Sequence, residues 1–248
     1  MHPTRQYGII GYPLSHTFSP GYFNAKFSEE QLDAKYDVFP IESIEGFPTL
    51  IQKHIFYGIN VTIPYKEQVM PYLDNIDSLA ADIGAVNTIK FINGKTKGYN
   101  TDFYGFEQSL LALIKSKTNI TQALILGSGG AAKAVYYVLQ SLQIPYLTVG
   151  RHKNTDLMYE EVDASIMKSS NLIINTTPLG MYPKENYSPQ IPYQYLNSKY
   201  FLYDLVYNPE KTLFLSEGTA RGCKVKNGFD MLILQAEKSW QIWNQPEH

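Results

Sequence analysis

The chain has 248 residues, 44% of them hydrophobic and 18% charged, with a formal net charge of −2. That is apolar material enough for two domains, and the near-neutral balance without a basic run excludes nucleic acid and membrane surfaces as expected partners. One cysteine, Cys223, rules out an internal disulfide; with no basic-then-apolar leader and no apolar run near the ~18 residues of a membrane helix, a cytoplasmic protein is expected.

From the amino end, residues 7–11 predict a short strand. The loop that follows carries Ser15, His16, Thr17 and Ser19, with Ser19 read as a helix N-cap and Pro20 as the first helical position. The same hydroxyls suit a polar ligand. His16 supports no metal, because the five histidines lack ligand spacing. Residues 34–40 alternate as a strand, and 47–56 predict a helix with Pro48 near its start. Residues 58–63 predict a strand that Pro64 stops, since proline holds Ile63 extended. Lys66 then falls just past a strand end, where α/β folds place their chemistry, although a solvated surface lysine has the same signature. Residues 78–83 predict a helix, and Gly84-Ala85-Val86-Asn87-Thr88 leads into a hairpin turning at Asn93-Gly94. The return strand ends at Asn100-Thr101-Asp102, which opens a helix over 106–115. Asp102 reads equally as a helix cap and as a functional carboxylate. No phosphate-binding loop occurs up to this point, so residues 1–102 read as a separate domain.

Beyond Thr121 the pattern changes. Leu124-Ile125-Leu126 suits a buried strand, and Gly127-Ser128-Gly129-Gly130-Ala131-Ala132 follows, with a helix expected over 133–142. Strand, Gly-x-Gly-x-x-Ala and helix in that order are a dinucleotide fingerprint. Gly127 serves the tight turn, Gly129 close approach to a pyrophosphate, and Ala132 helix packing, with the helix amino end facing the phosphates. A strand over 146–149 runs into Gly150-Arg151-His152-Lys153. An NAD site has an acidic residue here; a guanidinium instead suits a ribose 2′-phosphate, so NADP is the expected cofactor, with solvated surface charge the alternative. Residues 171–175 predict a strand ending in Thr176-Thr177-Pro178-Leu179-Gly180, a loop suited to pass near the nicotinamide. Residues 200–204 predict a strand leading to Tyr207-Asn208-Pro209 and a helix through Leu215. Cys223 lies in a last strand, 223–227, read as a small buried residue. A final helix, 228–243, sets Phe229, Leu232, Ala236, Trp240 and Trp243 on one apolar face, with Gln235 beside it as a surface amide. Residues 181–197 form a Pro- and Tyr-rich loop.

Taken together, these loops resemble the shikimate dehydrogenase family over nearly the whole chain. The matching stretches are His16-Thr17-Phe18-Ser19-Pro20, Asn60-Val61-Thr62-Ile63-Pro64-Tyr65-Lys66, Gly84-Ala85-Val86-Asn87-Thr88, Asn100-Thr101-Asp102 and Gly127-Ser128-Gly129-Gly130-Ala131. Asn175-Thr176-Thr177-Pro178-Leu179-Gly180, Asp204-Leu205-Val206-Tyr207-Asn208-Pro209 and Gly228-Phe229-Asp230-Met231-Leu232 complete the set. The resemblance implies an α/β chain with an amino-terminal substrate domain, 1–102, and a Rossmann-type doubly wound domain, 103–228, the C-terminal helix 229–248 returning to the first. It implies NADP-dependent interconversion of 3-dehydroshikimate and shikimate, with Lys66 and Asp102 catalytic. Substrate contacts then fall on Thr17, Ser19, Thr62, Asn87, Tyr207 and Gln235. Cofactor contacts fall on Gly127, Ser128, Gly129, Gly130, Ala131, Arg151, His152, Thr176, Thr177, Leu205 and Gly228. Thr17 stands where the family usually has serine, and Gly150 and His152 flank Arg151 where Asn and Thr are common. An enzyme acting also on quinate or using NAD, and a non-catalytic NADP sensor, remain as alternatives. The expected partner is a small-molecule substrate, and the chain is a monomer or a homodimer.

Overall fold

Two sheets organise the chain. The computed structural model describes residues 4–14, 17–152 and 155–246, so Ser15, His16 and Lys153 lie outside the described residues. The chain divides into two units: residues up to Thr101 together with the segment from Ala236 onward, and Asp102–Gln235.

The first unit holds β1 (Arg5–Gly11), α1 (Ser19–Glu29), β2 (Ala34–Pro40), α2 (Phe47–Lys53), β3 (Phe56–Val61), β4 (Asn75–Ile76), α3 (Ser78–Ile83), β5 (Thr88–Ile92) and β6 (Lys95–Tyr99). Its strands are ordered β2-β1-β3-β5-β6-β4. Helical crossovers make β1 parallel to β2 and β3, while β5 runs antiparallel to β3 and β6. Asn93 and Gly94 turn that hairpin with φ of 50° and 78°, the left-handed pair a type I′ turn needs. Alternation along β1 sends Tyr7 and Ile9 into an aromatic cluster with Phe23, Phe27, Tyr36 and Trp243, and Ile10 into a second core with Phe47, Ile59, Val61 and Ile89.

Two expectations fail here. Ser19 is the first helical residue rather than the cap: Phe18 holds the cap position without a side-chain bond, and Ser19 is buried. Helix α2 ends at Lys53, because Phe56 is drawn into the sheet as the buried first residue of β3. The two-residue strand β4 carried no signal of its own.

The second unit holds α4 (Asp102–Ile114), β7 (Ala123–Leu126), α5 (Gly130–Ser141), β8 (Tyr146–Gly150), β9 (Leu157–Met158), α6 (Ala164–Ser169), β10 (Leu172–Asn175), β11 (Phe201–Asp204), α7 (Leu213–Ala220) and β12 (Lys224–Lys226). Helix α8 (Phe229–Asn244) begins in this unit and ends in the first. The sheet runs β12-β11-β10-β7-β8-β9 with every pairing parallel. This is the doubly wound order, in which ligands bind at the carboxyl ends where the strand order reverses, here between β7 and β10. Both strands are buried throughout, their side chains alternating between two cores.

The sequence reading also needs correction in this unit. Helix α5 starts at Gly130, inside the glycine motif. Helix α7 starts at Leu213 and runs to Ala220, because Thr212 Oγ1 accepts the Leu215 N–H and caps it there. Helix α6, capped by Asp163 accepting from the N–H groups of Ser165 and Ile166, was not foreseen. On α8 the buried stripe is Gln235, Ala236, Ser239, Ile242 and Trp243, whereas Phe229 is exposed and Gln235 is no surface amide. Cys223 sits just before β12, free and buried, its Sγ–H donating to the Asn197 carbonyl. No described helix is long and apolar enough to cross a membrane.

Candidate active site

In the first unit, most of the residues singled out from sequence gather at one end of the sheet. Antiparallel register sets Asn60 opposite Thr88, so Asn87 arrives beside the carboxyl end of β3, where the Val61 N–H donates to its carbonyl at 2.8 Å. Thr62 follows β3, its N–H donating to Ile10 at the end of β1 (2.9 Å), and the Tyr65 N–H donates back to Thr62 (2.9 Å) to close the turn that carries Lys66. The Lys66 carbonyl in turn accepts the Val86 N–H at 2.7 Å. A Cβ on Gly11 would meet Thr62 Cγ2 at 2.5 Å, so glycine there lets β1 and the Thr62 turn close up.

Asn87 is the best-fixed of these side chains. It is 3% exposed, its Oδ1 accepts the Thr101 N–H at 2.7 Å, and its Nδ2 donates to Thr101 Oγ1 at 2.9 Å. The backbone N–H can only donate, so the amide cannot flip. Thr17 and Lys66 are half-buried, and Ser19 is buried at the start of α1. The chain passes from Thr101 directly into Asp102, the first residue of α4, which is buried and lies in the first helical turn, where a carboxylate is favoured by the helix dipole.

In the second unit, a pocket of about 350 Å³ opens at the sheet's reversal point. It is lined by Gly127, Ser128, Gly129, Arg151, His152, Thr176 and Thr177, so it gathers most of the expected cofactor residues. Gly130 and Ala131 open α5 and are not among the lining residues; nor are Leu205 and Gly228. Those two meet at the end of β11, where a Cβ on Gly228 would lie 2.2 Å from the Leu205 carbonyl. Tyr207 is half-buried, and burial pushes its phenol up, keeping it an O–H donor. Gln235 is buried, its Nε2 donating to Leu232 O at 2.8 Å.

The two key glycines differ in kind. Gly127 has φ +109°, and an added Cβ would lie 2.7 Å from Thr176 Oγ1. Gly129 has ordinary backbone geometry and nothing within 4 Å of an added Cβ, so what it leaves open is pocket. Tyr136 from α5 donates to the Gly127 carbonyl at 3.2 Å and steadies the turn. The loop after β10 is set by Asn175, whose Oδ1 accepts from the N–H and hydroxyl of Thr177 and whose Nδ2 donates to Asp204 Oδ1 at 2.9 Å.

The lining contains two residue types the sequence reading passed over. Lys184 comes from the Pro- and Tyr-rich loop, its carbonyl held by the Gly180 N–H at 3.0 Å, and Tyr159 lies close enough to feel the Arg151 charge. A lysine shortly after the Thr-Thr-Pro-Leu-Gly loop was the available signal for the first. Arg151, His152 and Lys184 with no carboxylate among the described lining residues, over an open glycine cradle at a helix amino end, fit a nucleotide carrying an extra phosphate. Among the described residues no group of three or more His, Cys, Asp or Glu is placed to hold a metal ion.

Comparison with known proteins points to one family. The family model for the shikimate dehydrogenase substrate binding domain matches residues 9–89. A shikimate dehydrogenase (NADP(+)) of Carboxydothermus hydrogenoformans is 39% identical, covering 97% of this chain and 91% of its own. Among solved structures, the shikimate dehydrogenase of Aquifex aeolicus superposes with a TM-score of 0.88 at 32% identity, covering 100% of this chain and 95% of that one. Shikimate 5-dehydrogenase of Thermus thermophilus, solved with NADP(H) and shikimate, gives 0.85 at 28% identity over 97% and 93%.

Proposed function

Since the chain belongs to the shikimate dehydrogenase family, we propose that it catalyses the reversible NADP-dependent reduction of 3-dehydroshikimate to shikimate. The observation that carries this reading is the pocket at the glycine turn, whose described lining residues include Arg151, His152 and Lys184 and no carboxylate. A ribose 2′-hydroxyl calls for an acidic partner, whereas a 2′-phosphate calls for this charge. When bound, the nicotinamide supplies the hydride.

The protein's own residues do the rest. Reducing a ketone places negative charge on its oxygen, which requires a proton and a nearby positive charge. Lys66 supplies both: its ammonium hydrogen-bonds the carbonyl oxygen and gives up one proton as the C–H bond forms, leaving a neutral amine that regains a proton from solvent. Asp102 is the second catalytic group of this reading, the carboxylate partner of that ammonium. Thr17, Ser19 and Tyr207 donate hydroxyl hydrogens to the substrate carboxylate, and Thr62, Asn87 and Gln235 read its ring hydroxyls. Neutral donors in a fixed array reject analogues that leave them unpaired. Ser128, Gly129, Gly130 and Ala131 present backbone N–H groups to the pyrophosphate, while Gly127 shapes the turn. Arg151 and His152 take the adenosine phosphate, and Thr176, Thr177, Leu205 and Gly228 flank the nicotinamide half.

We place this activity in the cytoplasm, on a small-molecule substrate, without a nucleic-acid or membrane partner. The test is the absorbance of NADPH formed from NADP+ and shikimate, with quinate and NAD+ as parallel arms. Reduction of NADP+ by shikimate in preference to both substitutes is expected. Equal rates with quinate or NAD+ would broaden the assignment, and cofactor binding without turnover would mark a sensor.

A further inference from the structure

Behind Asn87 lies a buried polar cluster that no part of the mechanism above uses. Ser239, fully buried on α8, is its hub: its Oγ lies 2.7 Å from Thr88 Oγ1 and 3.2 Å from Thr101 Oγ1, and accepts from Asn60 Nδ2 at 3.1 Å. Each of those three groups also touches Asn87. Thr101 holds both ends of its amide, Thr88 Oγ1 donates to its Oδ1 at 3.2 Å, and Asn60 Nδ2 reaches its backbone carbonyl at 3.2 Å. Tyr36 completes the arrangement by donating to Asn60 Oδ1 at 2.8 Å, which fixes which face of that amide meets Ser239.

We propose that Ser239 is a positioning residue for substrate recognition, holding the Asn87 amide through Thr88 and Thr101. The inference rests on the reading of Asn87 as a ligand of a substrate hydroxyl. Threonine hydroxyls are stiff about χ1, and a shared partner decides which of the few rotamers is occupied. Without the Ser239 hydroxyl, the two threonines and Asn60 lose their common partner inside a dry region, where an unmade hydrogen bond is costly. They then turn toward one another, and the Asn87 amide keeps the Thr101 N–H but loses the two hydroxyl contacts that hold its plane. The last helix thereby contributes to substrate affinity through a residue that does not touch substrate.

The experiment measures shikimate binding to the cofactor-free protein by tryptophan fluorescence, binding of 2′,5′-ADP by calorimetry, and steady-state kinetics. S239A is expected to weaken shikimate binding and raise its KM about tenfold, leaving 2′,5′-ADP affinity and the KM for NADP+ unchanged. In an N87A background the same change should add nothing, because groups acting through one another are not additive. T88V, which removes one link and keeps its shape, should behave alike and serves if S239A fails to fold. An equal further loss in the N87A background, or a parallel loss of 2′,5′-ADP affinity, overturns the positioning role. Shikimate binding unaltered by both variants does so as well. Absence of shikimate binding by the unaltered chain overturns the functional reading itself, and this inference with it.

Discussion

Lys66 carries its charge on a flexible stem, yet its backbone is held by the Val86 N–H on one side and by the Thr62–Tyr65 turn on the other. Truncating it removes the proton donor without loosening that turn. Lys66→Ala is therefore expected to lower kcat by ~10²–10⁴ while NADP+ binding, read by calorimetry, stays unchanged; near-normal turnover would contradict the assigned role. Asp204 makes a different prediction. Burial pushes its carboxyl up to about 6, against hydrogen bonds from Thr212 (2.6 Å), the Val206 N–H (3.0 Å) and Asn175 (2.9 Å). A carboxyl whose folded pKa lies above its unfolded value binds more protons folded than unfolded. Its contribution to stability is complete below the unfolded value of 3.8 and is lost as pH rises through about 6. Asp204→Asn keeps the shape and removes the charge, so its stability relative to wild type should rise across that window by about 3 kcal/mol. Urea unfolding at several pH values reads this directly, and a flat difference would show that the three hydrogen bonds fully compensate the buried charge.

Among the elements, the glycine turn separates two roles that one motif conceals. A side chain at Gly127 meets both a φ of +109° and Thr176 at 2.7 Å, whereas one at Gly129 meets nothing within 4 Å. Gly127→Val should thus unfold the second unit more easily, while Gly129→Val should keep the wild-type Tm and lose NADP+ affinity, the added side chain filling the cradle. Lys184→Ala should weaken 2′,5′-ADP more than 5′-ADP if its charge reads the extra phosphate; equal weakening would place it on the pyrophosphate. The motif was legible because its chemistry is local: a strand, a turn and a helix within a dozen residues. The hairpin at Asn93-Gly94 was legible for the same reason. Where tertiary contacts decide, the sequence was silent or misleading. Ser19 has the composition of a cap, but the helix begins one residue earlier and buries it as its first residue. Phe56 reads as the tail of a helix until the sheet buries it. Lys184 and Tyr159 reach the pocket from segments with no periodicity to place them. The catalytic and substrate-binding roles were assigned through resemblance, since nothing in a lone lysine or asparagine marks it as chemical.

On the scale of the whole molecule, the first unit is not contiguous in sequence. It takes in the segment from Ala236 onward, and that segment supplies part of its aromatic core. The Trp243 ring lies 5.1 Å from Tyr7 and 5.3 Å from Phe23, and its Nε1 donates to the Ile89 carbonyl at 3.0 Å. Lys90 reaches past it to the Gln245 carbonyl at 2.6 Å, and the Lys26 ammonium pairs with Glu237 at 3.0 Å. The middle strand of the sheet is shaped for this ring, because a Cβ on Gly58 would lie 2.3 Å from it. Trp243→Ala should then cost about 3–5 kcal/mol, the range for emptying a large aromatic site. Gly58→Ala should cost about 1–3 kcal/mol by overpacking. The two changes touch one volume, so together they should cost less than their sum, the new methyl occupying part of the space the indole vacates. A cycle of the four proteins, followed by urea unfolding, tests this. Simple additivity would mean that Gly58 is required by its own backbone and not by the ring. By the same reasoning, a chain ending at Gln235 should lose the ordered aromatic signal of the first unit in near-ultraviolet circular dichroism. The parallel sheet of the second unit, whose cores draw on no residue beyond Met231, should survive limited proteolysis.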